Sequence, residues 1–172
     1  DGFPACSVLF ADIVGFTVMS QQLTPERLVG MLNDIFSLFD KLAKEHDLEK
    51  IKTIGDAYMV AGGITIANDN HLSNLLRMSM EMLTVLDKYN SQNDFSLQLR
   101  IGIASGPLTA GVIGQKKISY DVWGNTVNVA SRMESTGIPG RVQVTEDVAK
   151  IMDVEFNFEK RGQVEIKGKG VM

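Results

Sequence analysis

The sequence is short of the residues that mark several large classes of protein. It has one cysteine in 172 residues, so no disulfide can close within the chain and a disulfide-stapled secreted scaffold is excluded. Cys6 lies in an apolar run and reads as a small buried hydrophobe, which suits a reducing, cytoplasmic compartment. The two histidines, His46 and His71, fall in no motif and read as surface residues. Long apolar runs are also missing: nothing approaches the roughly 18 residues needed to span a bilayer, and the amino terminus lacks the basic-then-apolar order of a signal peptide. No membrane contact is expected within this stretch of chain. Positive charge is not in excess, with 17 Lys and Arg against 21 Asp and Glu. The broad basic face that nucleic-acid binding requires is therefore not expected. No internal repeat or low-complexity linker interrupts the chain.

What is present is ordinary in bulk. Hydrophobic residues make up 44% and charged residues 22%, the profile of a folded globular protein. The length suits one domain over residues 1–172 with a real core. The chain opens on Asp1-Gly2-Phe3-Pro4, two residues before a strand-like run, and stops at Met172. It is expected to be one domain out of a longer, regulated protein.

The apolar run Cys6 to Ile13 has the pattern of a buried strand that delivers one acid, Asp12, to an edge. Thr24-Pro25 supplies an N-cap and a first-turn proline. Leu28, Met31, Leu32, Ile35, Phe36, Phe39 and Leu42 then follow helical spacing to about His46. Glu49 to Thr53 and Ala57 to Ala61 flank Ile54-Gly55-Asp56, a hairpin whose exposed tip carries a carboxylate. A second helix is predicted from about Leu72 to Tyr89. Leu97 to Ala104 and Thr109 to Ile113 read as a second hairpin joined through Ser105-Gly106-Pro107. A strand from Ile118 to Trp123 and a helix from about Thr126 to Ser135 follow. Strand, helix, hairpin, helix, strand is the order of a ferredoxin-like split βαβ sheet, an α+β fold expected to carry helices on one face and leave the other free.

Asp12 and Asp56 both stand where apolar strands give way to glycine-containing turns. In such a sheet the first strand and the hairpin are neighbours, so the two carboxylates can meet and attract a hard cation such as Mg²⁺. As bare residues they are equally well explained as turn formers bonded to their own backbone. Arg100 lies in an apolar strand on the same face as Gln98. Asn128 and Arg132 are four residues apart on a predicted helix and share a face.

Four segments in order, FADIVGFT (10–17), KIKTIGDAYMV (50–60), LRIGIASGPLTAGVIG (99–114) and YDVWGNTVNVASRM (120–133), resemble the successive motifs of class III nucleotidyl cyclase catalytic domains. The resemblance covers most of the chain. It implies that Asp12, Asp56 and the backbone carbonyl of Ile13 hold two divalent ions, Mg²⁺ or Mn²⁺, one activating the ribose 3′-hydroxyl and one clamping the triphosphate. It implies that Gly15, Phe16 and Thr17 cradle phosphates, that Arg100 contacts the triphosphate, and that Lys167 reaches it from the opposite subunit. Asn128 is implied to orient the ribose and Arg132 to neutralise the α-phosphate in the transition state.

In that family the residues at Lys52 and Asp121 read the base. Lysine only donates and aspartate only accepts, so the pair complements adenine, with its N1 acceptor and N6 amine, and opposes guanine. The resemblance therefore implies an adenylyl cyclase acting on ATP as a homodimer with two composite sites. The alternatives are a guanylyl cyclase, disfavoured by Lys52 and Asp121, and a catalytically silent cyclase-like module, which would be expected to lack one of Asp12, Asp56, Asn128 or Arg132. A polymerase-like enzyme would need its own acidic signature in place of the Asn128 and Arg132 helix.

Overall fold

The computed structural model describes residues 1–172. Strand β1 (Gly2–Ile13) leads into a short helix α1 (Phe16–Ser20) and a long one, α2 (Pro25–Glu45). The hairpin β2 (Glu49–Ile54) and β3 (Ala57–Gly62) follows, then α3 (His71–Asn93) and β4 (Leu99–Ile113). The chain continues through β5 (Ser119–Trp123), α4 (Asn125–Ser135), β6 (Val142–Val144) and α5 (Glu146–Met152), and closes with a hairpin, β7 (Glu165–Ile166) and β8 (Gly170–Val171). The strand order is β2-β3-β1-β4-β5, antiparallel throughout, with β6 added parallel to β4. This is the expected α+β split βαβ sheet.

Local chemistry sets the helix starts. Thr24 stands in an extended conformation and its side chain accepts from the Arg27 amide, with Pro25 as the first helical residue. Such a cap contributes about 1 kcal/mol. The apolar stripe of α2 then buries Met31, Ile35, Phe39 and Leu42. With α3 it covers one sheet face, meeting Leu9, Ala11 and Ile13 of β1 and Leu99, Ile101 and Ile103 of β4. Alternation along each strand sends the intervening residues to the other face. There Cys6, Val8, Met59, Ala61 and Ala104 form a second core with Val129, Ala130 and Met133 of α4.

The second face is thus not left free, as the sequence led us to expect: α4 covers it. Gly102 makes that possible, because a β-carbon at this position would stand 2.0 Å from the Glu134 nitrogen. The helix backbone lies directly on β4, and only a residue without a side chain admits it.

The expected hairpin through Ser105-Gly106-Pro107 is also absent. β4 runs unbroken for 15 residues, and the turn signal marks a bulge. The register with β1 shifts between Phe3 and Cys6, where Phe3 faces Leu108 and Cys6 faces Gly106. Pro4 and Pro107 both lie in this break, where the missing amide hydrogens cost no ladder bond. Gly106, at φ +151°, leaves room for Thr126, whose hydroxyl donates to the Pro107 carbonyl at 2.7 Å. Nor are the histidines plain surface residues. His71 is half-buried with its ring 2.8 Å from the Ser7 hydroxyl, and burial lowers its pKa. His46 pairs with Glu81 at 3.0 Å. Cys6 is fully buried, as expected.

Candidate active site

The carboxylate edge is built by β1, the β2–β3 turn and β4. Asp12 faces Ala57 on one neighbour and Arg100 on the other. Ile54 pairs with Ala57, leaving Gly55 and Asp56 as a two-residue turn with Gly55 at φ +59°. A glycine in the first central position is what such a tight turn calls for. The turn sets the Asp56 carboxyl beside Asp12. Asp56 is half-buried, not exposed as its turn position suggested. Burial first, then the adjacent Asp12 carboxyl, raise its pKa to about 7, while its own backbone amide and Arg100 pull the other way. Ile13 is buried in the core, so its backbone alone can serve a ligand.

Arg100 closes this edge. One guanidinium nitrogen stands 3.5 Å from Asp12 and 3.4 Å from Glu134. Glu134, on α4, is the residue that sequence reasoning missed. The signal was available: it falls on the buried stripe Thr126, Val129, Ala130, Met133, Glu134, and a charge at a core-facing position is seldom there without a partner. Burial raises its pKa, and the charge of Arg100 opposes the shift.

A second group forms elsewhere. Lys52 donates to Asp121 at 2.6 Å, and the other Asp121 oxygen accepts from the Val122 amide at 2.8 Å. The two come from β2 and β5, opposite ends of the strand order. Ile51 and Tyr120 beside them both pack on the second core, so the sheet edges close over it. Asn128 is exposed and Arg132 half-buried on the side of α4 away from Val129 and Met133. Neither side chain has a hydrogen-bond or ion-pair partner. The fold therefore brings Asp12, Asp56 and Arg100 together, and Lys52 and Asp121 together. No side-chain hydrogen bond or ion pair links one group to the other. Two hollows of the surface, about 460 and 250 Å³, are lined by neither group.

Gly15 adopts φ +74° as the N-cap of α1, leaving the amides of Phe16 and Thr17 in the first turn without helical partners. Lys167 is exposed at the turn of the β7–β8 hairpin, which the buried Ile166 anchors on the second core. From that turn Lys169, not Lys167, bonds the Asn125 side chain at the start of α4. No cluster of three or more His, Cys, Asp or Glu side chains is arranged to hold a metal. Two crowded carboxylates beside a turn nevertheless suit Mg²⁺, which takes one or two protein carboxylates and completes its shell with water and phosphate oxygens.

The model of the adenylate and guanylate cyclase catalytic domain family matches residues 1–172, and the chain belongs to that family. It is 43% identical over 172 residues to an adenylate cyclase of Mycobacterium tuberculosis, covering all of this chain and 39% of that protein. It is 42% identical over 175 residues to retinal guanylyl cyclase 1 of Rattus norvegicus, covering 98% of this chain and 16% of that protein. The chain thus spans well under half the length of these relatives. The crystal structure of the guanylate cyclase domain of RhGC from Catenaria anguillulae in complex with GTP superposes with a TM-score of 0.95 at 31% identity, over 100% of this chain and 94% of that one. No helix is long and apolar enough to cross a membrane.

Proposed function

We propose that the chain is an adenylyl cyclase, converting ATP to 3′,5′-cyclic AMP and pyrophosphate in two composite sites of a homodimer, with residues 1–172 acting as one catalytic domain. The observation that carries the choice of substrate is the Lys52–Asp121 pair, a pure donor beside a pure acceptor, 2.6 Å apart. Adenine, with an acceptor at N1 and an amine at N6, satisfies both; guanine satisfies neither. The second reading, a guanylyl cyclase, is favoured by the rat relative and the GTP-bound neighbour and opposed by those two residues.

The homodimer reading rests on two features. Within one chain no side-chain hydrogen bond or ion pair joins the acid group to the Lys52–Asp121 pair, and a head-to-tail pair would bring one group from each subunit to each site. The β4–β5 hairpin also exposes the apolar side chains of Val112, Ile113, Ile118 and Trp123, exposure of the kind that marks an interface.

Asp12, Asp56 and the Ile13 carbonyl would hold two divalent ions, Mg²⁺ or Mn²⁺, which supply Lewis-acid activation of the ribose 3′-hydroxyl and neutralise triphosphate charge. The residues do the rest. Lys52 and Asp121 select the base, and Asn128 fixes the ribose. Arg100, Lys167 and the amides after Gly15 hold the phosphates. Arg132, without an internal partner, keeps its planar fork for the α-phosphate as charge builds there. The 3′-oxygen attacks the α-phosphorus and pyrophosphate leaves. Neither group offers a side chain placed as general base, and the 3′-proton is left to water or to the substrate. A cytoplasmic location goes with this reading, since ATP is abundant there and a free thiol stays reduced.

The test is to incubate the domain with equal ATP and GTP, with Mg²⁺ or Mn²⁺, and to identify the product. Cyclic AMP is expected. Cyclic GMP as the main product, or no cyclic nucleotide with either metal, contradicts the proposal.

A further inference from the structure

We propose that Glu134 is a positioning residue for Arg100: it holds the guanidinium so that its open edge faces the phosphates of the bound nucleotide. The inference rests on the cyclase reading above and adds a residue to its phosphate-binding half.

Glu134 is only 8% exposed. A carboxylate buried that deeply costs stability unless a partner compensates it, and its one side-chain partner is Arg100, at 3.4 Å. Its location is fixed by backbone packing. The α4 backbone lies against Gly102 closely enough that a β-carbon there would meet the Glu134 nitrogen at 2.0 Å. Gly102 and Arg100 are two residues apart on β4 and so share a face. The stem of Arg100 is confined as well, since a β-carbon at Gly137, just beyond α4, would stand 3.1 Å from Arg100 Cγ. A rigid carboxylate therefore tethers an otherwise flexible side chain.

The tether leaves much of the guanidinium free. The nitrogen that contacts Glu134 also lies 3.5 Å from Asp12, which turns the guanidinium toward the edge carrying Asp12 and Asp56. Its Nε is buried with no partner, so this side chain is not fully satisfied within the chain. An arriving phosphate can replace Asp12 as the second anion while Glu134 stays in place. Arginine suits such a double role because its planar fork bonds two anions at once. Without Glu134, Arg100 has Asp12 as its remaining partner and is drawn onto it.

The test uses 3′-deoxy-ATP and 3′-deoxy-GTP, which lack the attacking hydroxyl, with 3′-deoxy-AMP and 3′-deoxy-GMP as counterparts lacking the β- and γ-phosphates. Binding to wild type, Glu134→Gln, Glu134→Asp, Arg100→Ala and the Glu134→Gln/Arg100→Ala double variant is measured by calorimetry with Mg²⁺. Glu134→Gln should weaken triphosphate binding about tenfold, as for directly coupled residues, and leave monophosphate binding unchanged. Its KM for the cyclised nucleotide should rise more than its kcat falls. Glu134→Asp should recover part of the loss, and Glu134→Gln should add nothing in the Arg100→Ala background. Equal loss for tri- and monophosphates, or full additivity with Arg100→Ala, overturns the proposal and makes Glu134 a structural residue. If Glu134→Gln fails to fold, the same comparison on Glu134→Asp decides, with a selective triphosphate loss of a few-fold expected. If wild type binds neither triphosphate, the cyclase reading fails and this inference with it; normal triphosphate binding by a folded Glu134 variant defeats this inference alone.

Discussion

The two groups of proposed site residues differ in how their charges are balanced. At the carboxylate edge Asp12, Asp56 and Glu134 crowd one guanidinium. At the base-reading edge one lysine meets one aspartate and the pair is closed. The first arrangement is short of positive charge and costs stability until a counter-ion arrives; the second is neutral and satisfied. On the proposed reading, the difference teaches that the acid edge awaits a ligand the chain does not itself supply, whereas the Lys52–Asp121 edge presents a ready-made pattern of one donor and one acceptor.

Breaking the acid edge should have the largest effect. Asp12→Ala or Asp56→Ala is expected to lower cyclisation on the order of a thousandfold, since the bound ions supply several kcal/mol of barrier reduction. For Asp56→Ala the melting temperature should hold or rise, because a crowded like charge is removed. Lys52→Ala offers the contrast: it leaves Asp121 without its partner and should lower stability slightly, by less than about 1 kcal/mol, since Lys52 is partly exposed. Product assay and thermal melting on the same samples test both. A folded Asp56→Ala enzyme with near-normal turnover would remove the metal assignment.

Rewriting the base edge comes next. Replacing Lys52 by glutamate and Asp121 by cysteine turns the N1 contact from donor to acceptor and relaxes the exocyclic one. Each mismatch costs about 1 to 3 kcal/mol, so the preference should move toward GTP by roughly a hundredfold. Each single change should give a poor enzyme for both nucleotides. The readout is the ratio of the two cyclic products from an equal mixture, and an active double variant that still prefers ATP strongly would show that these residues do not read the base.

The smallest expected effect is on pH dependence. The Asp56 pKa is raised from 3.8 to about 7, so between those values the folded domain binds more proton than the unfolded chain. Stability therefore falls as pH rises through that window. Chemical denaturation with a chelator present, from pH 4 to 7.5, should show this decline, and Asp56→Asn should flatten it. A wild-type curve that rises across the same window would contradict the crowding of Asp12 and Asp56.

Much of this was legible in the sequence because strand alternation and helical spacing are local. Thr24-Pro25 located the start of α2, and the apolar run before Asp12 located the strand that carries it. The turn at Gly55-Asp56 was legible for the same reason. The misses were set by tertiary contact. Ser105-Gly106-Pro107 has turn chemistry, yet Gly106 serves the approach of Thr126 and Pro107 lies opposite a bulge in β1, neither of which is visible from β4 alone. The covering of the second sheet face depends on Gly102 meeting the α4 backbone, a contact 32 residues away in sequence. Glu134 carried a local signal, a charge on an apolar stripe, but its partner Arg100 could be named only once β4 and α4 were in contact.

The central claim, that an acid edge from one chain works with a base and arginine edge from another, is tested most directly by mixing. Asp12→Ala protein and Arg132→Ala protein should each be inactive alone. Combined and allowed to exchange subunits, they should form heterodimers that contain one intact site and one doubly broken site. The account predicts recovery of cyclic AMP formation in the mixture, approaching about a quarter of wild-type activity for random pairing of equal amounts. No recovery in a mixture shown to contain heterodimers would contradict it.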